Sequence, residues 1–251
     1  MNRMRLDQYL EDRGLVRGVA EAFIVVTEGR VFVNGQKAVS PSQRVGSEDV
    51  IEMRGGREFV GRGAYKLEGA LLSFAIDVAG SVCADIGAAT GGFTEVLLKR
   101  GARKVYAIDT ARGKLDPKIR NEPRVIVMEG TNALSLASLS EPVDLISIDV
   151  SLTSLRVILP GLRSWLAEKG NVVALLKPQY EAGSKDLRHG IVCDDQTRAR
   201  IVADFRAWLG RNGWMERGMI ESPIRGGEGN VEYLFHLVPE RKEIDCSRSG
   251  G

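Results

Sequence analysis

Short apolar runs alternate with helical patterns along the chain from residue 64 onward. The apolar runs are continuous and rich in valine and isoleucine, and they cover residues 82–86, 104–108, 124–128, 143–148 and 172–176. Apolar residues at helical spacing separate most of these runs, notably over residues 93–100, 154–167 and 197–212. Buried strands that alternate with helices predict an α/β fold with a parallel sheet covered on both faces. Two later strand patterns, at residues 215–221 and 232–238, complete the sheet.

The first 53 residues follow a different pattern, in which two helices precede a small sheet. Leu6, Tyr9 and Leu10 recur at helical spacing, and a second helical pattern covers residues 20–26. Strand patterns follow at residues 31–33, at Val39 and at residues 50–53. The dipeptide Asn34-Gly35 suits the positive φ angles of a tight hairpin turn. This part of the chain is therefore predicted to be a small α+β domain.

A segment rich in glycine and arginine separates the two parts. Residues 54–63 contain four glycines and three arginines, which is typical of a domain boundary. The segment is either a flexible basic linker or a linker that also touches ligand. We predict a small domain at residues 1–53, a linker at 54–63, a larger domain at 64–240 and a frayed polar tail at 241–251.

Composition excludes several classes of protein. With 43% apolar and 27% charged residues among 251, the chain is globular. It has no apolar run near the ~20 residues that span a bilayer. Residues 1–10 lack the apolar core of a secretory signal, so we expect none there. The three cysteines, Cys83, Cys193 and Cys246, are far apart and odd in number, which favours a reduced cytoplasmic protein without a zinc site.

Net charge says little about partners. The formal charge is +2, and residues 1–60 contain nine basic and nine acidic residues. Any nucleic-acid contact must therefore depend on where individual arginines lie. Arg3, Arg5, Arg17 and Arg30 are the candidate phosphate contacts of the small domain, with Arg62 in the linker. They could equally be solvated surface residues.

The turn after the first predicted strand of the large domain carries a cluster of glycines. It runs Asp85-Ile86-Gly87-Ala88-Ala89-Thr90-Gly91-Gly92-Phe93-Thr94. Ligands of open α/β sheets bind beyond the carboxyl ends of the strands, and glycines there allow close backbone approach. Asp109 ends the next strand, where an acidic residue commonly accepts hydrogen bonds from ribose hydroxyls.

The glycine spacing narrows the choice of ligand. It fails the dinucleotide pattern G-x-G-x-x-G, and the phosphate-binding pattern G-x-x-x-x-G-K-[ST] is absent. D-x-G-x-x-x-G-G-F followed by a strand-end aspartate fits S-adenosylmethionine better. We expect Asp85, Gly87, Gly91, Phe93 and Asp109 to contact this cofactor.

Four charged residues fall at the same predicted edge of the sheet. Lys66 follows the linker, Asp149 and Lys177 end two buried strands, and Glu232 opens the last strand. A lysine at the end of a buried strand is seldom there for packing.

Such a set of charged residues suits methyl transfer to a ribose hydroxyl, which is a poor nucleophile until a base removes its proton. We expect the two lysines to lie close together, so that like charge favours a neutral amine on Lys177, with Asp149 and Glu232 as orienting groups. In the alternative, Lys177 only stabilises charge and the base is Lys66 or water.

These residues together resemble a known family. The stretches Gly61 to Leu67, Asp85 to Thr94, Asp149 to Ser151, Lys177 to Gly183 and Gly229 to Leu234 are similar to the hemolysin A/TlyA family, a branch of the FtsJ-like ribose methyltransferases. Residues 3–53 resemble the RNA-binding domain of ribosomal protein S-four, through Arg5-Leu6-Asp7 and residues 29–35.

The resemblance implies a Rossmann-like methyltransferase sheet and 2′-O-methylation of cytidines in ribosomal RNA with S-adenosylmethionine. It implies the catalytic tetrad Lys66, Asp149, Lys177 and Glu232. It adds Ala88, Thr90, Gly92, Asn132 and Asp149 to the cofactor contacts. Ribosomal RNA or ribosomal subunits are the implied partners, with no membrane and no metal, in the cytoplasm.

Other functions remain open from the sequence. The chain could be an RNA-binding ribosome-assembly factor with weak or no catalysis, which the intact tetrad argues against. It could be a membrane-active hemolysin, which the missing spanning segment argues against. A nicotinamide-dependent oxidoreductase is opposed by the glycine spacing.

Overall fold

The chain forms two compact units, Met1–Phe59 and Val60–Gly251. The structure, a computed structural model, describes residues 3–16, 18–55, 59–192, 194–226 and 229–240. Cys193, Cys246 and the predicted tail at residues 241–251 lie outside the described residues. The predicted linker spans the division between the units.

The described residues of the first unit form two helices and two small sheets. In chain order its elements are β1 (Met4–Arg5), α1 (Leu6–Asp12), α2 (Val19–Thr27), β2 (Val31–Val33), β3 (Gln36–Lys37), β4 (Arg44–Val45) and β5 (Ile51–Met53). Strands β1 and β4 pair antiparallel, and β2 pairs antiparallel with β3 and β5. A core of nine buried side chains holds the helices on the strands, among them Leu6, Leu10, Val25 and Val31.

The two helices and the strands predicted at residues 31–33 and 50–53 are confirmed, whereas the sheet of β1 and β4, whose first strand precedes α1, was not predicted. Both helices form where apolar spacing placed them, and Asn34 and Gly35 take φ angles of 52° and 77° in the turn between β2 and β3. The strand predicted at Val39 is wrong, because Val39 follows β3 and its surface is 87% exposed. A lone apolar residue therefore did not mark a strand.

The second unit is an α/β domain. Its elements are α3 (Gly63–Ser73), β6 (Val82–Ile86), α4 (Gly92–Lys99), β7 (Lys104–Asp109), α5 (Pro117–Arg120), β8 (Val125–Glu129), β9 (Val143–Ile148), α6 (Leu155–Leu162), β10 (Leu166–Leu176), α7 (Pro178–Glu181), α8 (Asp195–Arg211), β11 (Trp214–Glu221) and β12 (Tyr233–Pro239). Short 3₁₀ turns cover Ala133–Ser135, Arg163–Trp165 and Ser184–Asp186.

Seven strands form one sheet in the order β11-β12-β10-β9-β6-β7-β8. Strands β10, β9, β6, β7 and β8 run parallel, and β12 pairs antiparallel with both of its neighbours. Helices flank the sheet, as the sequence predicted. The parallel strands bring their carboxyl ends to one edge, which collects the loops after β6, β7, β9 and β10.

The helix predicted over residues 154–167 ends earlier than expected. It stops at Leu162, a 3₁₀ turn follows, and Leu166 already belongs to β10. Pro160 lies inside α6 and has no N–H to continue the helical hydrogen bonds. Trp165 is nevertheless buried, so the apolar pattern continues while the backbone changes from helix to strand.

Candidate active site

The loop between β6 and α4 turns sharply at three left-handed residues. Gly87, Ala89 and Gly91 have φ angles of 86°, 47° and 95°. At Gly87 a side chain would be impossible, because an added Cβ would lie 2.2 Å from the Asp149 carbonyl oxygen. The loop therefore passes directly against the backbone that follows β9.

A cavity of about 420 Å³, here called the cofactor cavity, opens beside this loop. Four predicted contacts line it: Gly87, Asp109, Asn132 and Asp149. The Asp109 carboxylate accepts hydrogen bonds from the backbone N–H of Ala89, at 2.8 Å, and of Ala111, at 2.7 Å. Asn132 caps the following 3₁₀ turn by accepting from the Leu134 N–H at 3.0 Å.

The other predicted loop residues lie elsewhere. Ala88, Thr90, Gly92 and Phe93 line a smaller recess of about 90 Å³ that also touches Gly87 and Asp149. Gly91 lines neither space: an added Cβ there would meet Leu115 and Ile119 at 3.0–3.1 Å. Gly91 therefore serves the packing of the loop.

The expectation that Asp85 contacts the cofactor needs correction. Asp85 is wholly buried, and it accepts hydrogen bonds from the hydroxyls of Thr94, at 2.6 Å, and Ser147, at 3.1 Å. Burial raises the pKa of this carboxyl to about 7. Asp85 joins β6 to α4 and β9 beneath the loop, and the strand-end pattern did not reveal that its side chain points into the core.

The four predicted catalytic side chains form a continuous row. Lys66 Nζ lies 2.6 Å from Glu232 Oε2 and 4.0 Å from Asp149 Oδ2. Lys177 Nζ lies 2.7 Å from Asp149 Oδ1. The order is thus Glu232, Lys66, Asp149, Lys177, with charges alternating in sign. The first turn of α3 and the ends of β9 and β10 supply three of them, and Glu232 immediately precedes β12.

This arrangement changes one expectation. The lysines hold opposite oxygens of Asp149, so a carboxylate separates the two amines that we expected to adjoin. Lys66 and Glu232 are 8% and 2% exposed, which makes them an internal ion pair. Attraction to the carboxylates offsets the cost of burying these charges.

A second space of about 380 Å³, here called the acceptor pocket for the substrate that we expect there, has Lys177 in its wall. It is lined by Ser151, Lys177, Gln179, Tyr180, Gly190, Asn230 and Glu232. Ser151 also lines the cofactor cavity, and Asp149 lines that cavity while it holds Lys177. The charged row therefore stands between two cavities, each of a size that holds a small molecule or one nucleotide.

Sequence reasoning missed two residues that order this edge. Ser151 accepts a hydrogen bond from Lys177 Nζ at 3.2 Å. Glu181 accepts from the Ser154 hydroxyl and from the Leu155 N–H, both at 2.7 Å. Burial raises the pKa of the Glu181 carboxyl. Both residues stand within stretches that resemble the family, but motif letters do not show which side chains face each other.

The candidate RNA-binding arginines differ in their surroundings. Arg3 is exposed, and Arg5 makes a two-pronged contact with Asp7 at 3.0 and 2.6 Å while 46% of its side chain stays exposed. Arg30 is mostly internal: its side chain is 15% exposed and contacts Glu28 and the Gly55 carbonyl oxygen. Arg17 lies outside the described residues.

The linker arginine belongs to the second unit. Arg62 is half-buried and donates to the Arg225 carbonyl oxygen at 2.9 Å. Burial lowers the pKa of its guanidinium, against the opposing effect of the Glu232 charge. Arg62 therefore lies near the charged row.

The described residues contain no group of three or more His, Cys, Asp or Glu residues that could hold a metal ion. Within the same part of the chain, no helix combines the length and the apolar character needed to cross a membrane.

Comparison with known proteins gives matches over nearly the whole chain. Residues 59–238 match the FtsJ-like methyltransferase family, and residues 4–51 match the S4 domain. The 16S/23S rRNA (cytidine-2′-O)-methyltransferase TlyA of Mycobacterium tuberculosis is 42% identical, over 94% of this chain and 90% of that protein. Hemolysin A of Brachyspira hyodysenteriae is 38% identical, over 94% and 100%. A solved structure of a proposed hemolysin from Streptococcus thermophilus superposes with a TM-score of 0.74 at 35% identity, over 98% and 93%.

Proposed function

This chain belongs to the FtsJ-like methyltransferase family, and from that premise we propose that it methylates the 2′-hydroxyl group of cytidines in ribosomal RNA, with S-adenosylmethionine as methyl donor. The relative that shares 42% of its residues is named for this reaction. The S4 domain that precedes the methyltransferase domain supports RNA as the substrate. In this proposal the protein acts in the cytoplasm.

The observation that carries the proposal is the charged row between the two cavities. Lys177 borders the acceptor pocket, and Asp149, which binds it at 2.7 Å, borders the cofactor cavity. A base at such a boundary can take a proton from a hydroxyl on one side while a methyl donor occupies the other. A protein that only bound RNA would have no need of two lysine–carboxylate contacts there, one of them buried.

The cofactor cavity fits S-adenosylmethionine in size and in donor set. Its volume of about 420 Å³ lies in the range of small-molecule sites. Asp109 supplies carboxylate oxygens for ribose hydroxyls, and Gly87 keeps side-chain atoms away from the loop. When bound, this cofactor supplies a methyl group on a sulfonium centre that an oxygen nucleophile can displace.

Each residue of the charged row then has its own role in the reaction. In its neutral form the Lys177 amine accepts the proton of the acceptor hydroxyl, and Asp149 holds the resulting ammonium. Lys66 steadies the other oxygen of Asp149 and is itself fixed by Glu232 at 2.6 Å. Lys177 is the better candidate for the base because it lines the acceptor pocket, whereas Lys66 is absent from the lining of both cavities.

The modified nucleoside that the protein forms in RNA tests this proposal. Purified protein is incubated with isotopically labelled S-adenosylmethionine and bacterial ribosomal subunits that lack the modification, and the RNA is digested to nucleosides. We expect label in 2′-O-methylcytidine. Label confined to a methylated base, or no transfer to RNA from an otherwise folded protein, would overturn the proposal. Lys169→Arg, at an exposed position of strand β10, serves as a matched control where a lysine of the charged row is substituted.

A further inference from the structure

Ser151 borders both the cofactor cavity and the acceptor pocket, and the proposed reaction gives it no role so far. Its side chain lies beside the base itself, because Lys177 Nζ donates to Ser151 Oγ at 3.2 Å. The structure thus gives the Lys177 amine two oxygen partners, this hydroxyl and Asp149 Oδ1 at 2.7 Å, beside the Tyr180 ring at 5.9 Å.

Two fixed partners define the orientation of a lysine amine. An ammonium group carries three N–H bonds in a tetrahedral arrangement, and a lysine held by one contact can still swing about that contact, because its four-carbon stem is flexible. When Asp149 and Ser151 occupy two of these directions, the third direction at the Lys177 nitrogen is fixed. That third position is where an acceptor hydroxyl meets the nitrogen lone pair once the amine is neutral.

The backbone around Ser151 is held on both sides. The Asp149 N–H donates to the Ile86 carbonyl oxygen at 2.9 Å, and Ser154 donates to buried Glu181 at 2.7 Å. Ser151 is itself exposed, and the partner that the structure gives its hydroxyl is a side-chain amine. Removing the hydroxyl therefore leaves the anchors of the loop in place.

We propose that Ser151 is a positioning residue for methyl transfer, which orients the Lys177 amine toward the acceptor hydroxyl. The inference rests on the proposed function. It predicts that Ser151 affects the rate of methyl transfer within the bound complex and does not affect the affinity for the cofactor or the RNA.

Single-turnover kinetics test this with three variants. Ser151→Ala removes the hydroxyl, Ser151→Thr keeps it, and Ser164→Ala removes an exposed serine hydroxyl that donates to the Gly161 carbonyl oxygen at 3.3 Å. With both substrates saturating, we expect Ser151→Ala to lose roughly 10- to 100-fold in rate, the loss typical of a catalytic group misplaced by about 1 Å. Ser151→Thr should recover most of the rate, and Ser164→Ala should match the parent. KM values and cofactor affinity should stay within about threefold in all three variants.

An NMR measurement detects the hydrogen bond between Lys177 and Ser151 without any methyl transfer. In protein with ¹⁵N-labelled lysines, the Lys177 ammonium signal is assigned by its loss in Lys177→Arg. We expect it to shift or broaden in Ser151→Ala and to stay unchanged in Ser164→Ala. An unchanged Lys177 signal in Ser151→Ala, or a saturated rate within about twofold of an active parent, overturns the role of Ser151. Loss of cofactor affinity with an unchanged saturated rate would make Ser151 a cofactor contact instead and overturns it too. A folded parent without any methyl transfer refutes the proposed function itself.

Discussion

The Asp109 carboxylate binds one backbone N–H through each oxygen, from Ala111 and from Ala89. A carboxylate has about four lone-pair sites, so two remain for a ligand. The backbone contacts hold the group at the wall of the cofactor cavity, which reduces the entropy lost when a ribose binds.

We therefore expect Asp109→Ala to weaken S-adenosylmethionine binding by about 1–3 kcal/mol, the cost of leaving polar partners unmatched. Isothermal titration calorimetry measures this directly. Asp204→Ala, an exposed position on α8, is the control and should bind normally. An unchanged affinity in Asp109→Ala would remove this residue from the site.

Asp85 leads to a prediction about pH. Its pKa in the folded chain is about 7, against an ordinary value of 3.8, because burial disfavours the charged form. The folded state then binds a proton that the unfolded chain has released, so the free energy of unfolding decreases as pH rises from about 4 to about 7.

Urea unfolding at pH 5 and pH 8 tests this in the parent and in Asp85→Asn, which cannot ionise. The parent should lose stability on the order of 2 kcal/mol more than the variant between these pH values. The comparison uses the change with pH, because the amide also alters the hydrogen bonds with Thr94 and Ser147. Equal losses in both proteins would show that Asp85 does not titrate in this range.

At the scale of elements, the site depends on loops that follow neighbouring parallel strands. Glu181, at the end of α7, binds Ser154 and the Leu155 N–H at the start of α6. It thereby joins the loop that carries Lys177 to the loop that carries Asp149. A buried carboxylate at a helix N-terminus also compensates the helix dipole.

Replacing Glu181 by alanine should lower the free energy of unfolding by about 1–3 kcal/mol, because buried donors are left without their acceptor. It should also lower the saturated methylation rate, since the separation of Lys177 and Asp149 is no longer fixed. Chemical denaturation and single-turnover kinetics check the two effects. Full activity in the folded variant would show that the strands hold the loops without this bridge.

Much of the site could be predicted because parallel strands end at one edge. That rule brought Asp149 and Lys177 together from residues that are far apart in sequence, and the distance of 2.7 Å agrees with it. Strand ends do not specify side-chain direction, however, which is why Asp85 was expected in the ligand site although it points into the core. Periodicity also could not show that Asp149 separates the two lysines, because that depends on the side-chain rotamers of three residues on different elements.

At the scale of the whole molecule, the first unit is expected to contribute RNA affinity and the second to perform the chemistry. Arg3 is exposed, and Arg5 stays 46% exposed although it contacts Asp7, whereas only 15% of the Arg30 side chain is exposed. This part of the chain carries equal numbers of basic and acidic residues, so its affinity for RNA depends on individual exposed arginines and not on net charge.

RNA binding measured against salt concentration separates these arginines. The double variant Arg3→Ala/Arg5→Ala should lower the log–log slope by about 0.7–0.9 for each phosphate group that an arginine no longer neutralises. Arg30→Ala, the control in the same unit, should leave the slope unchanged and lower the melting temperature. An unchanged slope in the double variant would give the first unit another role.

The role of Lys177 is the central claim, and its substitution by arginine is the most direct test. Arginine keeps the positive charge and the contact with Asp149, but a guanidinium does not give up its proton and cannot act as a base. The measurement is the single-turnover rate of 2′-O-methylcytidine formation with saturating S-adenosylmethionine and ribosomal subunits, for the parent, Lys177→Arg and the control Lys169→Arg. We expect Lys177→Arg to lose about 10²–10⁴-fold in rate, the usual contribution of a general base, with near-parent binding of both substrates. A rate for Lys177→Arg within about threefold of the parent would contradict the assignment of Lys177 as the base.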